Sequence, residues 1–518
     1  MKVRKSKPLW QDVRLPRFPT LRRSGEFDVV VIGGGVTGLS AALFLKQAGK
    51  RVCLLERDRL GHGDTIHTTA HLTCDTDARL TQLVKTFGAD QAALAWYGGA
   101  CALDLIEQIV TENRIECEFR RTPGFLTAAL DGTRDETGDL QHEATVARKL
   151  GFDVDFVPCV PVVDKPGIRI RDQGKFHPMA YLAGLANLVQ GDGCSIHEST
   201  TVTDVESAPL AVLANGFKIA CDYVVIATHV PLTGKNGLVK ASLLQSKLTS
   251  YSTYVVSGRL PAVQVPDLSL WDTGNPYYYL RVDAGNDFDR IIFGGNDHKT
   301  GQETDTENCY DRLAQTLSRV LPNAKLDHRW SGQVVATNDG LPLIGETTDR
   351  QFVATGFNGN GITFGTLAGM MARDAVLKKE NPWQGLFSVG RTKILGGGWE
   401  YVKQNMDFPY YFLADHMRRL KHATARAIKR GEGQILKIDG QRVACSRDAR
   451  GRLLKVSAVC THLGCLVRWN DAEKTWDCPC HGSRFLPEGE VLAGPAETPL
   501  EPLAPSKRKQ KIKPAADA

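Results

Sequence analysis

Two short segments late in the chain hold residue types that bind metal, CTHLGC at 460–465 and CPCHGS at 478–483. Cys460 with His462 and Cys478 with His481 form two pairs, separated by residues 463–477. Two thiolates can hold one iron of a [2Fe–2S] cluster and two neutral imidazoles the other. That ligation raises the reduction potential to roughly −150 to +300 mV. A structural zinc site draws on the same residue types. Cys465 and Cys480 add one further cysteine to each segment. Of the 13 cysteines, five fall between Cys445 and Cys480, a clustering that points to metal binding before a disulfide scaffold. The other eight (Cys53, Cys74, Cys101, Cys117, Cys159, Cys194, Cys221 and Cys309) lack motif spacing and read as buried free thiols.

A second chemistry stands near the start. Gly33-x-Gly35-x-x-Gly38 follows the apolar run FDVVVI and opens a helical pattern, and Glu56 ends the next apolar run, RVCLLE. Gly33 permits the tight turn, Gly35 the approach of a pyrophosphate, and Gly38 close packing of helix on strand. The helix N-terminus offers free N–H groups, and Glu56 can accept from ribose hydroxyls. Near residue 360, Gly359, Asn360 and Gly361 open another helix whose N–H groups and dipole could stabilise an anionic ring edge. YYYLR at 277–281 places Tyr277, Tyr279 and Arg281 on one face of a strand, and Arg281 could hold a substrate carboxylate bidentately.

These motifs carry two resemblances. Residues 26–380 resemble the D-amino-acid oxidase/glycine oxidase family of flavoproteins, through VVIGGGVTGLSAALFLKQAGKRVCLLE, the strand VVIAT followed by His229, DGLPLIG at 339–345 and ATGFNGNGITFG at 354–365. The resemblance implies FAD, bound by Gly33, Gly35, Gly38, Glu56, Gly359, Asn360 and Gly361. It also implies a flavin segment at DTIHTTAHLT, 64–73, with His67 and Thr68 against the cofactor. Some family members link FAD covalently through a histidine in a similar context. Flavin released by acid precipitation would exclude that linkage at His67.

Residues 431–505 resemble the Rieske family, in particular its cytochrome bc-type subgroup. That resemblance implies a cluster on Cys460, His462, Cys478 and His481 and a Cys465–Cys480 disulfide. Ser483 matches the serine that hydrogen-bonds a bridging sulfide. Phe485 stands where high-potential members have tyrosine, which implies an intermediate potential.

The elements that must position these residues follow in order. At 518 residues, two or three domains are expected. The fold class read from the pattern is an α/β FAD-binding Rossmann-like domain with an antiparallel-sheet substrate domain, plus a small all-β C-terminal Rieske domain. The expected boundaries are an N-terminal arm at 1–25, the FAD-dependent oxidoreductase domain at 26–380 (substrate subdomain about 116–180 and 235–330), a connector at 381–430, the Rieske domain at 431–505 and a basic tail at 506–518. Residues 70–115 read mainly as helix. The composition is 42% hydrophobic and 24% charged with a net charge of +6, and no apolar run spans a bilayer. Neither a nucleic-acid motif nor a secretory signal is evident, so a cytoplasmic location is expected.

Three functions compete. The favoured one is a flavin dehydrogenase that oxidises a small molecule, an amine or amino acid, and passes electrons through the cluster to an external acceptor. The second is an electron-transfer or redox-sensing protein without a dedicated substrate, fed by an external donor. The third, a Rieske oxygenase, needs a mononuclear iron. Asp415, His416 and His422 superficially offer ligands, but only a short segment follows the cluster.

Overall fold

The computed structural model describes residues 7–231, 244–348, 350–391 and 424–503. The chain separates into two compact units, residues 1–407 and 408–518. The basic tail and the Asp415, His416 and His422 group lie outside the described residues.

The first unit holds two sheets. In the smaller one, β1 (Gly25–Ile32) lies between β2 (Val52–Leu55) and the strand Phe217–Ile226. Ser195–His197 and Gln351–Thr355 extend it outward, all five parallel, and Leu343–Thr348 closes one edge antiparallel. The β-branched run Val29–Ile32 is buried on both faces, which is why it reads as continuously apolar rather than alternating. The helix α1 (Val36–Gln47) packs beside the helix Gly361–Val376, both entering from parallel strands. A Cβ on Gly365 would stand 2.4 Å from Thr37 Oγ1, and one on Gly369 would stand 2.7 Å from the Ala41 nitrogen. Glycine at those two positions lets the helices run in close parallel contact, with their N-termini side by side.

The larger sheet has nine strands. Its order is Lys325–Thr337, Leu248–Pro261, Phe288–Lys299, Tyr278–Asp283, Leu268–Asp272, Arg120–Thr127, Lys165–Lys175 and His71–Leu72, with Val154–Val160 beside Lys165–Lys175. All neighbours are antiparallel except Leu268–Asp272 and Arg120–Thr127.

Two stretches differ from expectation. Residues 70–79 are not helical: His71–Leu72 is a strand, and helices occupy Leu80–Phe87 and Ala89–Glu112. Ala70 takes φ 55°, and the carbonyls of Thr69 and Ala70 accept from Arg281 instead of from a following helical turn. Residues 381–391 pack into the first unit rather than linking away from it. Phe387 is fully buried, Trp383 Nε1 donates to Leu94 O at 2.8 Å, and Arg391 pairs with Asp339 at 2.7 Å. The arm also lies on this body. Trp10 and Leu21 are buried, the Leu21 N–H donates to Thr200, and the Phe18 N–H donates to Glu198.

The second unit has a three-stranded sheet, Gly433–Ile438, Gln441–Arg447 and Leu453–Ser457, and a four-stranded sheet of Arg468–Asn470, Thr475–Asp477, Arg484–Phe485 and Val491–Ala493. All pairs are antiparallel. Its core gathers around Trp476, Phe485, Val467 and Leu500.

Candidate functional site

The glycine turn has the geometry a pyrophosphate needs. Gly33 sits at φ 109°, and a Cβ there would meet Ala227 O at 2.4 Å. A Cβ on Gly38 would stand 1.9 Å from Gly33 O, so helix and turn touch backbone to backbone. Gly35 caps α1 with no side chain of its own, and the Val36 N–H donates to Thr65 Oγ1 at 3.4 Å, so this helix end stands open to an anion beside Thr65. Glu56 accepts from the Gly34 N–H at 2.7 Å and from the Asp58 N–H at 2.7 Å. Burial raises its carboxyl above the usual range.

His67 ends a short 3-10 turn, Asp64–His67. Its Nδ1–H donates to Gly63 O at 3.0 Å, and its own carbonyl accepts from Trp330. Thr68 O accepts from Trp10 Nε1 at 2.6 Å, so the arm holds this segment in place. His229, at φ 64°, lies 3.4 Å from Asp64. Asn360 stands at the start of the second helix, again without a side-chain cap. It ties that helix to the 64–75 segment, donating to Asp75 O at 2.7 Å and accepting from Thr73 at 3.1 Å. Gly359, at φ 85°, faces Asp77 and Tyr277, each with an oxygen 3.6 Å from where its Cβ would be. The structure thus brings the two uncapped helix ends together with the segment carrying His67 and Thr68. This cradle fits a dinucleotide.

Beside Gly359 lies a chamber that sequence reasoning missed in part. Tyr277 and Tyr279 were singled out, and their rings lie 5.7 Å apart. Tyr279 lies across Gly294, where a Cβ would meet its ring at 2.2 Å, and bonds Thr253 at 2.8 Å. A β-bulge follows: Gly295 and Asn296 take positive φ where the strand register shifts opposite Thr253, and the next residue is Asp297. Asp77 keeps exposed surface beside Gly359 and Tyr277. Burial, then the charge of Asp297, pushes the Asp77 carboxyl up to about 8, and burial pushes Asp297 up to about 7. The signal available in sequence was the Gly294–Gly295 pair inside a strand, which marks a bulge.

Arg281 does not present its guanidinium to this chamber as an anchor. It is 3% exposed, and Nη1 donates to the carbonyls of Thr69, Ala70 and Phe176 at 3.0–3.1 Å while Nε donates to Asp283 at 2.9 Å. Burial alone would raise Asp283, yet Arg281 and Lys175 hold its carboxyl down to about 2. These contacts argue for a structural tie. Arg281→Met is expected to cost about 3–5 kcal/mol by removing one member of a buried ion pair and leaving the carbonyls of Thr69, Ala70 and Phe176 without their donor, read as a lower denaturation midpoint. An unchanged midpoint with weakened substrate binding would restore the anchor role.

In the second unit the two metal-type segments are near-identical turns. The Cys460 N–H donates to Cys465 O and the Gly464 N–H returns to Cys460 O, at 2.8 and 3.0 Å. The Cys478 N–H donates to Ser483 O and the Gly482 N–H to Cys478 O, at the same distances. Gly464 and Gly482 both take positive φ, 78° and 79°. Cys465 and Cys480 are joined in a disulfide, which locks the turns together. Cys460 and Cys478 are each 2% exposed, and their thiols are close enough that Cys478 holds Cys460 below the usual thiol range. His462 and His481 are half-buried, with rings 4.9 Å apart and perpendicular. Burial lowers His462, and burial, with His462 beside it, lowers His481 to about 4, so both imidazoles are in the neutral form that can bind a metal. Ser483 is fully buried, and its Oγ accepts from the Ala496 N–H at 3.0 Å. Two buried sulfurs and two neutral imidazoles toward solvent fit a mixed-ligand iron–sulfur cluster.

The family model described as FAD dependent oxidoreductase (DAO) matches residues 28–375. The chain belongs to the DAO family. A Rieske [2Fe-2S] domain model matches residues 419–504. The DAO-family chain therefore binds FAD and, in its second unit, a [2Fe–2S] cluster. YhfW of Bacillus subtilis (strain 168), named as a Rieske 2Fe-2S iron-sulfur protein, is 33% identical over 94% of this chain and 96% of its own. Gamma-glutamylputrescine oxidoreductase of Escherichia coli (strain K12) is 25% identical over 77% of this chain and 95% of its own. The cytochrome b6-f complex iron-sulfur subunit of Chlorobaculum thiosulfatiphilum is 34% identical over 21% of this chain and 64% of its own. The solved glycine oxidase of Geobacillus kaustophilus shares the fold of the first unit, with TM-score 0.59, 23% identity and coverage of 71% of this chain and 99% of that one. No helix among the described residues is long and apolar enough to cross a membrane.

Phe485, at the position where the Rieske resemblance implies a tyrosine in high-potential members, is fully buried in the strand Arg484–Phe485. Phe485→Tyr is expected to raise the midpoint potential by about 40 mV, taking a new hydrogen bond at about 1 kcal/mol on a one-electron centre. A redox titration followed by EPR checks this, and an equal or lower potential would show that the hydroxyl does not reach the cluster.

Proposed function

We propose that this DAO-family oxidoreductase is a dehydrogenase that oxidises the C–N bond of a small amine or amino acid and delivers the electrons through its Rieske cluster to an external acceptor. The observation that carries the reading is one chain holding both a dinucleotide cradle with an adjoining polar chamber and a set of cluster-binding turns. Gly33, Gly35, Gly38, Glu56, His67, Thr68, Gly359, Asn360 and Gly361 are the residues proposed to hold FAD. Cys460, His462, Cys478 and His481 are those proposed to hold the cluster. FAD supplies two-electron oxidation with release of electrons singly, which matches a one-electron cluster.

The chain's own residues do the rest. The two uncapped helix ends favour negative charge in the cradle. Asn360 fixes the second helix against the 64–75 segment. His462 and His481, both half-buried, would hold the cluster where an external partner could reach it. The name of the gamma-glutamylputrescine oxidoreductase supports an amine-type substrate. A cytoplasmic location completes the reading, supported by the free cysteines Cys53, Cys74, Cys117, Cys194, Cys221 and Cys309. Anaerobic titration with a panel of amines and amino acids tests it. Bleaching of the flavin by one class is expected, and no bleaching by any member would favour a redox-sensing role.

A further inference from the structure

The chamber beside Gly359 has an electrostatic character that the proposed function leaves open. The charges of Asp297 and then Asp75 act on Asp77, and the Thr253 side chain hydrogen-bonds Asp297. Among the described residues no cation acts on either Asp77 or Asp297. Asp283, buried in the same unit, has Arg281 and Lys175 as cationic partners. The Oδ1 atoms of Asp297 and Asp75 are buried without a hydrogen-bond partner, and Asp75 is 7% exposed. Two neighbouring carboxyl groups without a counter-charge hold their protons, and a cation joining them would favour the ionised form.

The remaining walls suit the same visitor. Tyr277 and Tyr279 stand beside these groups with their rings 5.7 Å apart at 45°, and aromatic rings attract ammonium groups. His71 packs edge-on against Tyr279 and is kept neutral, since burial and then Arg281 lower it to about 4. A substrate carboxylate would find no cation here among the described residues, and Arg281, the expected anchor, is spent on Asp283 and three carbonyls.

We propose that Asp77 and Asp297 bind the substrate as an ammonium ion, so that the chain acts on aliphatic amines free of an α-carboxylate and rejects the corresponding amino acids. This rests on the oxidoreductase reading above and narrows it from two substrate classes to one. Asp77 sits against Gly359 at the end of the cradle, which places the bound cation beside the cofactor segment. The β-bulge at Gly295–Asn296 brings Asp297 into the same enclosure.

Two matched pairs test it on the FAD-loaded full chain under anaerobic conditions: pentylamine against norleucine, and cadaverine against lysine. The members of each pair differ only by the α-carboxylate. The readout is perturbation or bleaching of flavin absorbance. In at least one pair the amine is expected to bind ten-fold or more tightly than its amino acid. Asp77→Asn combined with Asp297→Asn is expected to weaken that binding at least ten-fold at full flavin content. Equal or tighter binding of the amino acids, no response to either amine, or unchanged binding in a flavin-replete double variant overturns the proposal. Should the variant fail to fold, the comparison within each pair still decides. Flavin bleaching by an amine without cluster reduction would sink the electron-outlet reading and leave this one standing.

Discussion

Replacing Gly38 by valine is expected to yield a chain that purifies without flavin and unfolds at a lower temperature. A Cβ at this position would lie 1.9 Å from Gly33 O, and no side chain is available to move aside. Gly33 cannot retreat, because its N–H donates to Leu55 O at 2.9 Å and its own Cβ position is filled by Ala227 O at 2.4 Å. The helix α1 must therefore lift off the turn. That removes its N-terminus from the pyrophosphate position and opens the packing of Leu39, Leu43 and Leu45, all in the core. Overpacking of a well-filled site costs about 1–3 kcal/mol, and the added γ-carbons place valine at the upper end. Flavin absorbance per chain and the denaturation midpoint report both effects. Full flavin content at an unchanged midpoint would mean that the turn is not the cofactor's cradle.

The second large effect concerns the cluster. Cys478→Ser is expected to abolish the Rieske EPR signal while leaving FAD bound at full occupancy. Serine keeps the shape but replaces a soft thiolate, which iron–sulfur clusters require. The Cys478 N–H to Ser483 O bond and the Cys465–Cys480 disulfide do not involve the lost sulfur, so both turns keep their backbone. The flavin cradle belongs to a separate compact unit with its own core, so its cofactor should be unaffected. A variant that retained a normal Rieske signal would remove Cys478 from the ligand set.

What sequence made legible follows from how local each signal is. The Gly33–Gly38 turn and the two cluster turns are contiguous motifs, and local backbone geometry realises them: positive φ at Gly33, Gly464 and Gly482, and paired N–H···O bonds within five residues. The antiparallel strands between 250 and 300 were readable from alternation. The contacts of Arg281 were not readable from sequence, because pattern shows which face a side chain takes but not what waits there. Its partners, Thr69 O, Ala70 O and Phe176 O, come from segments far away in the chain. The same non-locality hid Asp77 and Asp297, which more than 200 residues separate and which only the folded sheet brings together. Residues 381–391 looked like a connector because Asn381–Pro382 interrupts a helix, yet Phe387 and Arg391 find burial and an ion pair on the same body.

The central claim is that substrate electrons leave through the cluster of the same chain. Rapid anaerobic mixing with an amine that bleaches the flavin tests it most directly, with flavin absorbance and the EPR signal of the reduced cluster followed together. The account predicts that the reduced-cluster signal rises within the same turnover as flavin bleaching, and that Cys478→Ser bleaches without any such signal. Bleached flavin beside a cluster that stays oxidised in the unaltered chain would contradict it.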